Sequence, residues 1–355
     1  MNYDYNPFDG NNDFDYYGKI TVNDAKKAVS RTSLGLFLFS AVSSIVITAI
    51  LVLLMITLGK DGYAALTKNP YFYIPLSTLA MYVVGFPLLW LCIRSLPTRT
   101  TPNEKTLSIA ELLAIIPVMQ FATNIGSSIG MGFDGILQEI FHTTSENPNE
   151  FLTEGVPVWL MIVITVIICP ILEEFVFRKL ILDRLSVYGN IFAIVVSAGM
   201  FGLFHGNFLQ MFYTFLVGII MGYVTVKGGS WLFGAGLHIF MNFVNGVIPT
   251  LLSDHNVRFE EALIALIDGN SDVFAENFQS FMLVGSFAVI LNILSITGAV
   301  ILVYTATKRL IHIKDAPEAV IPAGKLGVVL FTSIGTILFL LYTTYSVITQ
   351  YIQLA

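Results

Sequence analysis

Nine apolar stretches, most of them near 20 residues long, divide this 355-residue chain. They fall near 33–58, 71–95, 107–131, 157–182, 190–205, 208–226, 231–252, 280–305 and 326–351. A helix needs about 20 apolar residues to cross the hydrocarbon core of a bilayer. Only helices and closed barrels satisfy their own backbone hydrogen bonds there. The expected fold is therefore all-α, a polytopic transmembrane helix bundle. Composition agrees: 55% of residues are hydrophobic and 12% charged, where a soluble domain carries about 25% charged residues. The fifth and sixth stretches are short and meet at His205-Gly206-Asn207-Phe208, which reads as a turn within the membrane.

The distribution of charge says more than the net charge of -6. Lysine and arginine concentrate in cytoplasmic segments of membrane proteins. Lys19, Lys26, Lys27 and Arg31 precede the first stretch, and Arg94, Arg99 and Lys105 follow the second. Arg178, Lys179 and Arg184 end the fourth, Lys227 follows the sixth, and Lys308, Arg309, Lys314 and Lys325 lie between the eighth and ninth. Nine spans with the N-terminus inside and the C-terminus outside put these on one side and leave Lys60, Lys68 and Arg258 on the other. The two outer segments near 132–156 and 253–279 are acidic and are expected as long loops. Residues 1–32, rich in Asn, Asp and Tyr at their start, are expected as a disordered cytoplasmic tail. The transmembrane domain then runs over 33–352. No cleavable signal peptide is expected, because the first apolar run is too long for one. Cys92 and Cys169 lie in apolar runs and read as small core residues, with no disulfide framework. There is no internal repeat.

Charged side chains inside a span are costly, by roughly 2.5–3.5 kcal/mol on insertion scales, yet the fourth stretch contains Glu173, Glu174 and Arg178. On a helix, residues four apart share a face. Glu174 and Arg178 are thus neighbours, while Glu173 is left free to point elsewhere. A salt-bridge cluster at a helix end is the plain alternative. His205 follows Phe201 by four, and a helix-end histidine satisfied by a backbone carbonyl is the plain alternative there. His238 and Asn242 share a face in the seventh stretch, with Asn245 on the same stripe. Helix–helix hydrogen bonding would also explain them, since lipid offers no partners. Of five histidines only His205 and His238 lie in apolar stretches. A buried carboxylate, two imidazoles and a carboxamide are the parts needed to activate water against a carbonyl. Glu173 can take the proton, His205 can orient the water, and His238 and Asn242 can donate to the developing oxyanion.

At these residues the sequence resembles the CAAX-protease and bacteriocin-processing (Abi) family of intramembrane proteases. The family pattern EExxxR, FxxxH, HxxxN reads here as Glu173-Glu174-xxx-Arg178, Phe201-xxx-His205 and His238-xxx-Asn242, in order and in successive hydrophobic segments. The motif core covers about 157–250. The resemblance implies a membrane-embedded endopeptidase acting near the cytoplasmic side, in a bacterial cell membrane. It places the general base on Glu173, its partner role on His205 and the oxyanion role on His238 and Asn242. Glu174 and Arg178 become the pair that orients the first motif.

The metal-free glutamate mechanism is the expected one, with no cofactor. The alternative is a zinc site of Glu173, His205 and His238 with an open position, although no HExxH presets two ligands. The expected partners are a membrane-associated peptide or protein substrate and the lipid bilayer, not nucleic acid. Eukaryotic members of the family trim the last three residues of prenylated proteins, and bacterial members face other peptides; the substrate-binding residues are not legible. Gln120, Asn124 and Ser127 form a polar stripe near Pro117, either helix packing or the wall of a wet groove. Two other readings compete: a proton-coupled transporter, since intramembrane acids and histidines also make proton relays, and an inactive immunity or scaffold protein of the same fold.

Overall fold

The computed structural model describes residues 21–99, 107–143, 155–311, 313, 321 and 323–352. Most of the expected tail, residues 1–20, lies outside them, as do parts of the segments near 101–106, 144–154 and 314–320. Among the described residues every regular element is helical. Seven helical segments are long and apolar enough to cross a membrane. They are α1 Val22–Thr67, α2 Pro70–Ile93, α3 Ile109–Phe141, α4 Val158–Tyr188, α6 Phe208–Gly228, α7 Trp231–Asp268 and α8 Ser271–Thr307. Two shorter apolar helices, α5 Asn190–Phe204 and α10 Ile334–Thr349, complete the set, with the single-turn-scale α9 Leu326–Phe331 before α10.

Three expectations need correction. First, α1 begins at Val22, so residues 22–32 are helix and not tail. A capping box between Thr21 and Asp24 starts it, and Ala25, Ala28, Val29 and Thr32 are fully buried. The cover comes from α9 and α10 at the far end of the chain. Gly335 N–H donates to Ser30 Oγ at 3.1 Å, and a Cβ on Gly335 would stand 1.8 Å from Ser30 O. Second, the ninth apolar stretch is two helices, because it breaks at Thr332–Ser333 where Ser333 turns its hydroxyl to Val329 O. Third, helix extends into both acidic outer segments, of which residues 144–154 lie outside the described ones. Residues 132–141 continue α3, and 253–279 form a hairpin of α7 and α8 that turns at Gly269 (φ 72°). Helices of 33 and 37 residues reach about 50 and 55 Å, well beyond the ~30 Å hydrocarbon core. Asn277 Nδ2 on Glu261 Oε2 (3.2 Å) and the His255–Ser280 bond (2.9 Å) tie the hairpin together.

The first expected span ends where α1 kinks, at Gly59 (φ 70°, ψ 178°), a backbone state that glycine adopts without strain. At the opposite end of the bundle the basic residues gather around the C-terminus of α2. Arg31 Nε donates to Cys92 O at 2.7 Å, and Arg184 Nε to Ile93 O at 3.0 Å. Both complement the free carbonyls and the negative pole of that helix end. Arg99 N–H joins the same end through Asp183 O (2.9 Å). The side-chain pattern thus ties the cationic residues to one end of the helices. Reporter fusions at Arg99 and Lys314 are expected to read cytoplasmic, and one at Glu150 external; a cytoplasmic Glu150 would overturn the nine-span topology.

Candidate active site

The site sits where α4 loses its regular α pitch. The segments Ile162–Ile168 and Phe175–Leu182 are π-helical, with Cys169–Glu174 between them as α-helix. π-Turns of this kind recur at functional sites. The first of them ends just before Pro170. The π pattern pairs the carbonyl of residue i with the amide of i+5, and Cys169 N–H reaches Ile164 O in this way. The next pair in that ladder would be Pro170 with Thr165, but proline has no N–H. Asn242 supplies the donor instead: its Nδ2 bonds Thr165 O at 3.1 Å.

α4 and α5 form an antiparallel hairpin that turns at Gly189 (φ 120°). Glu173 lies as far before this turn as His205 lies after it, so both stand at the same depth, roughly 20 Å along the helices. α5 stops at Phe204, His205 is its C-cap, Gly206 takes φ 64°, and Asn207 caps α6 through Gln210 N–H (2.9 Å). The expected turn within the membrane is this one. α7 then packs its His238 face against α4.

Glu174 and Arg178 are both fully buried, 3.1 Å apart (Oε2 to Nε). Arg178 Nη1 donates to Ser197 Oγ (3.3 Å), which in turn donates to Phe177 O (2.9 Å). The guanidinium also lies 5.0 Å from the Phe201 ring centroid, a cation–π arrangement. Across from the pair stands Gly234, where a Cβ would fall 2.8 Å from Glu174 Oε2. Only a bare backbone lets α7 approach the carboxylate this closely. His238 follows Gly234 by one helical turn and bridges the glutamates: Nδ1 is 3.4 Å from Glu174 Oε1 and Nε2 is 3.8 Å from Glu173 Oε2. Phe201 packs edge-on against both histidines, 4.9 Å from His205 and 6.0 Å from His238 by ring centroids.

Glu173 points away from this pair. Its side chain retains 19% exposure, and it lines a cavity of about 440 Å³ together with His205. His205 Nδ1 donates to Phe201 O at 2.9 Å, which leaves Nε2 as its acceptor nitrogen. The structure therefore brings Glu173, Glu174, Arg178 and His238 into one cluster and puts His205 on the same cavity wall as Glu173. Asn242 is turned to Thr165, about 12 Å along α4 from Glu173, and neither it nor His238 lines the cavity. The polar stripe of α3 is helix packing: Gln120 and Asn245 exchange amide hydrogen bonds at 3.2 and 3.3 Å, and Gln120 also bonds Asn124 at 3.0 Å.

Sequence reasoning missed the other walls of the cavity, which come from α1, α2 and α10. Gln350 Nε2 donates to Gly206 O (2.8 Å) and Thr343 Oγ1 to Leu203 O (3.3 Å), so α10 holds the turn that carries His205. No local signal in α10 marks this. Ser197 and Gly234 were missed as well. Gly234 was open to detection, since it lies four residues before His238 on the same helix face.

Among the described residues no three His, Cys, Asp or Glu side chains are grouped to hold a metal ion.

Fold and site together define a polytopic helical membrane protein with a carboxylate–imidazole cluster inside the bundle. Residues 155–244 match the family described as type II CAAX prenyl endopeptidase Rce1-like. Over 193 residues the chain is 28% identical to YdiL of Bacillus subtilis (strain 168), whose name proposes a membrane peptidase; the match covers 52% of this chain and 77% of that protein. No solved structure matches the chain. Over this segment the chain is similar to a family of membrane peptidases, in agreement with the three motifs read from the sequence.

Proposed function

We propose that this protein is an intramembrane endopeptidase of the cell membrane that hydrolyses peptide bonds of membrane-associated peptides or proteins, using water activated by Glu173. The observation that carries the reading is the shared cavity wall of Glu173 and His205, with a histidine 3.8 Å from the same carboxylate. A water held between the Glu173 carboxylate and His205 Nε2 gives its proton to Glu173 as its oxygen adds to the scissile carbonyl carbon. The oxyanion forms beside His238, whose Nε2 stands 3.8 Å from Glu173 Oε2, beyond hydrogen-bond reach of it. Asn242, turned to Thr165 O, is not placed beside the oxyanion. Collapse of the tetrahedral intermediate breaks the C–N bond, and Glu173 returns the proton to the leaving nitrogen. Glu174 and Arg178 act behind the site: the pair fixes α4 against α5 and α7 and holds His238 from its Nδ1 side. A preset dipolar arrangement of this kind costs no reorganisation during the reaction.

Incubation of the purified protein in detergent with a peptide library tests the reading. Cleavage that disappears in Glu173→Gln supports it; a folded protein that cuts nothing removes it. The same preparation addresses metal. A strong chelator is expected to leave the rate unchanged, and elemental analysis to find less than one metal per chain. Stoichiometric zinc that is lost in His205→Ala together with activity would instead make these residues ligands. It would leave the peptidase reading in place.

A further inference from the structure

α5 stops at the histidine that the site needs, and a helix end leaves carbonyls without intrahelical partners. Several are met locally. Phe201 O accepts from His205 Nδ1 at 2.9 Å and His205 O from Asn207 Nδ2 at 3.0 Å. Gly202 O accepts from His205 N–H (3.3 Å) and Leu203 O from Gly206 N–H (3.1 Å). Other donors come from α10: Thr343 Oγ1 to Leu203 O at 3.3 Å and Gln350 Nε2 to Gly206 O at 2.8 Å. The Gln350 amide gives its second hydrogen to Ser346 O at 2.9 Å, so it is gripped by its own helix as it grips the turn. Ser346 also stands against Gly206, where a Cβ would fall 3.2 Å from Ser346 Cβ. The position of His205 therefore depends on where α10 ends.

α10 is held at its start by Ser30 and just past its end by Tyr351. Tyr351 is 2% exposed, and Asp134 on α3 is 7% exposed. The Tyr351 hydroxyl donates to Asp134 Oδ1, and Asp134 Oδ2 accepts from Gln138 Nε2 at 2.6 Å. The tyrosine ring stacks on Phe141, with centroids 6.2 Å apart. Breaking a buried bond of this kind leaves polar groups unsatisfied, which is costly. The same stretch of α3 grips the other side of the turn. A Cβ on Gly130 would stand 2.4 Å from Phe208 O, and one on Gly126 2.3 Å from Tyr213 Cα. Phe133 stacks on Phe212 with centroids 5.1 Å apart. α6 thus leaves the turn pressed on α3, and α10 reaches the turn from a residue bonded to α3. Neither Asp134 nor Tyr351 lines the cavity.

We infer that Asp134 and Tyr351 are positioning residues for His205. Their bond holds the end of α10 against α3, and Gln350 passes that position to the Gly206 carbonyl and so to the histidine. A loosened turn lets His205 Nε2 drift from Glu173, and a misplacement of about 1 Å can cost about 10²-fold in rate. The effect on rate rests on the peptidase reading, but the hold on the turn does not.

Amide hydrogen exchange reads the turn without any activity, and kcat and KM of the folded fraction read the consequence. Tyr351→Phe keeps the ring and its stacking and removes only the hydroxyl. Exchange over residues 203–210 is expected to rise about tenfold, with α2 unchanged, and kcat to fall about tenfold with KM within about twofold. Asp134→Asn keeps an acceptor for the hydroxyl and is expected to stay close to wild type in both readouts, while Asp134→Ala follows Tyr351→Phe. Gln350→Ala removes an exposed side chain, so folding is not at stake, and it should raise the same local exchange. Combined with Tyr351→Phe it should add little, because residues acting along one path are not additive. Unchanged exchange at the turn in Tyr351→Phe or Gln350→Ala overturns the inference whatever the activity. So does faster exchange throughout the bundle with kcat of the folded fraction kept, the mark of a purely structural pair. Effects that multiply in the double variant overturn the route through Gln350. If the turn exchanges faster as expected and no protein cuts peptide, wild type included, the peptidase reading fails and the hold on the turn stands.

Discussion

Replacing Glu173 by glutamine is expected to lower peptide cleavage by about 10²-fold or more, the loss typical of a removed general base, with little change in folding. Glutamine keeps the shape of the side chain and removes its capacity to take a proton. The small effect on folding follows from the position of Glu173: it keeps 19% side-chain exposure onto the cavity, and the buried arginine pairs with its neighbour instead. Cleavage rate and thermal unfolding of the same detergent preparation check both halves. His238→Ala is expected to act in the same sense, by about 10²–10³ in kcat with modest change in KM, if it donates to the oxyanion. Wild-type rates in Glu173→Gln would take the base role from it.

The adjacent residue should behave in the reverse way. Glu174→Gln leaves Arg178 fully buried without its anion, and an uncompensated buried charge costs about 3–5 kcal/mol. The protein is expected to express poorly and melt early, and to lose activity as a consequence. A double variant, Glu174→Gln with Arg178→Met, removes both charges. It should recover much of the folded yield, since exchange of a buried pair for apolar groups is often neutral or stabilising, but not the activity, because His238 still lacks its Glu174 partner. Thermal melts of the three proteins separate the outcomes. Equal stability of Glu173→Gln and Glu174→Gln, with equal loss of activity, would contradict the division of labour between the two glutamates.

Much of the site was legible because it is written in residues that lipid penalises. Glu173, Glu174, Arg178, His205 and His238 stand out in apolar stretches by their cost alone, and the four-residue spacing of Glu174 and Arg178 gives their contact directly. The turn at His205-Gly206-Asn207-Phe208 was legible from the short stretches on either side of it. The bond from Asn242 to Thr165 was not, since it depends on the π-helical register around Pro170, and hydropathy carries no trace of register. The helical hairpin at 253–279 was taken for a loop for a related reason. Its acidic residues end the preference for lipid without ending the preference for helix.

The sequence by itself determined that the chain is a helical membrane protein, which end of each helix gathers positive charge, and which polar side chains must find partners inside. These follow from solvation, which acts on each segment separately and needs no knowledge of its neighbours. The tertiary structure alone decided which partners they find. Residues 22–32 lie against α9 and α10, some 300 positions later. His205 is held in its turn by Gln350 and Thr343, and Glu173 meets a cavity whose walls come from both ends of the chain. Packing contacts between distant segments are pairwise and specific in shape, and no single segment encodes the surface of the one it will meet.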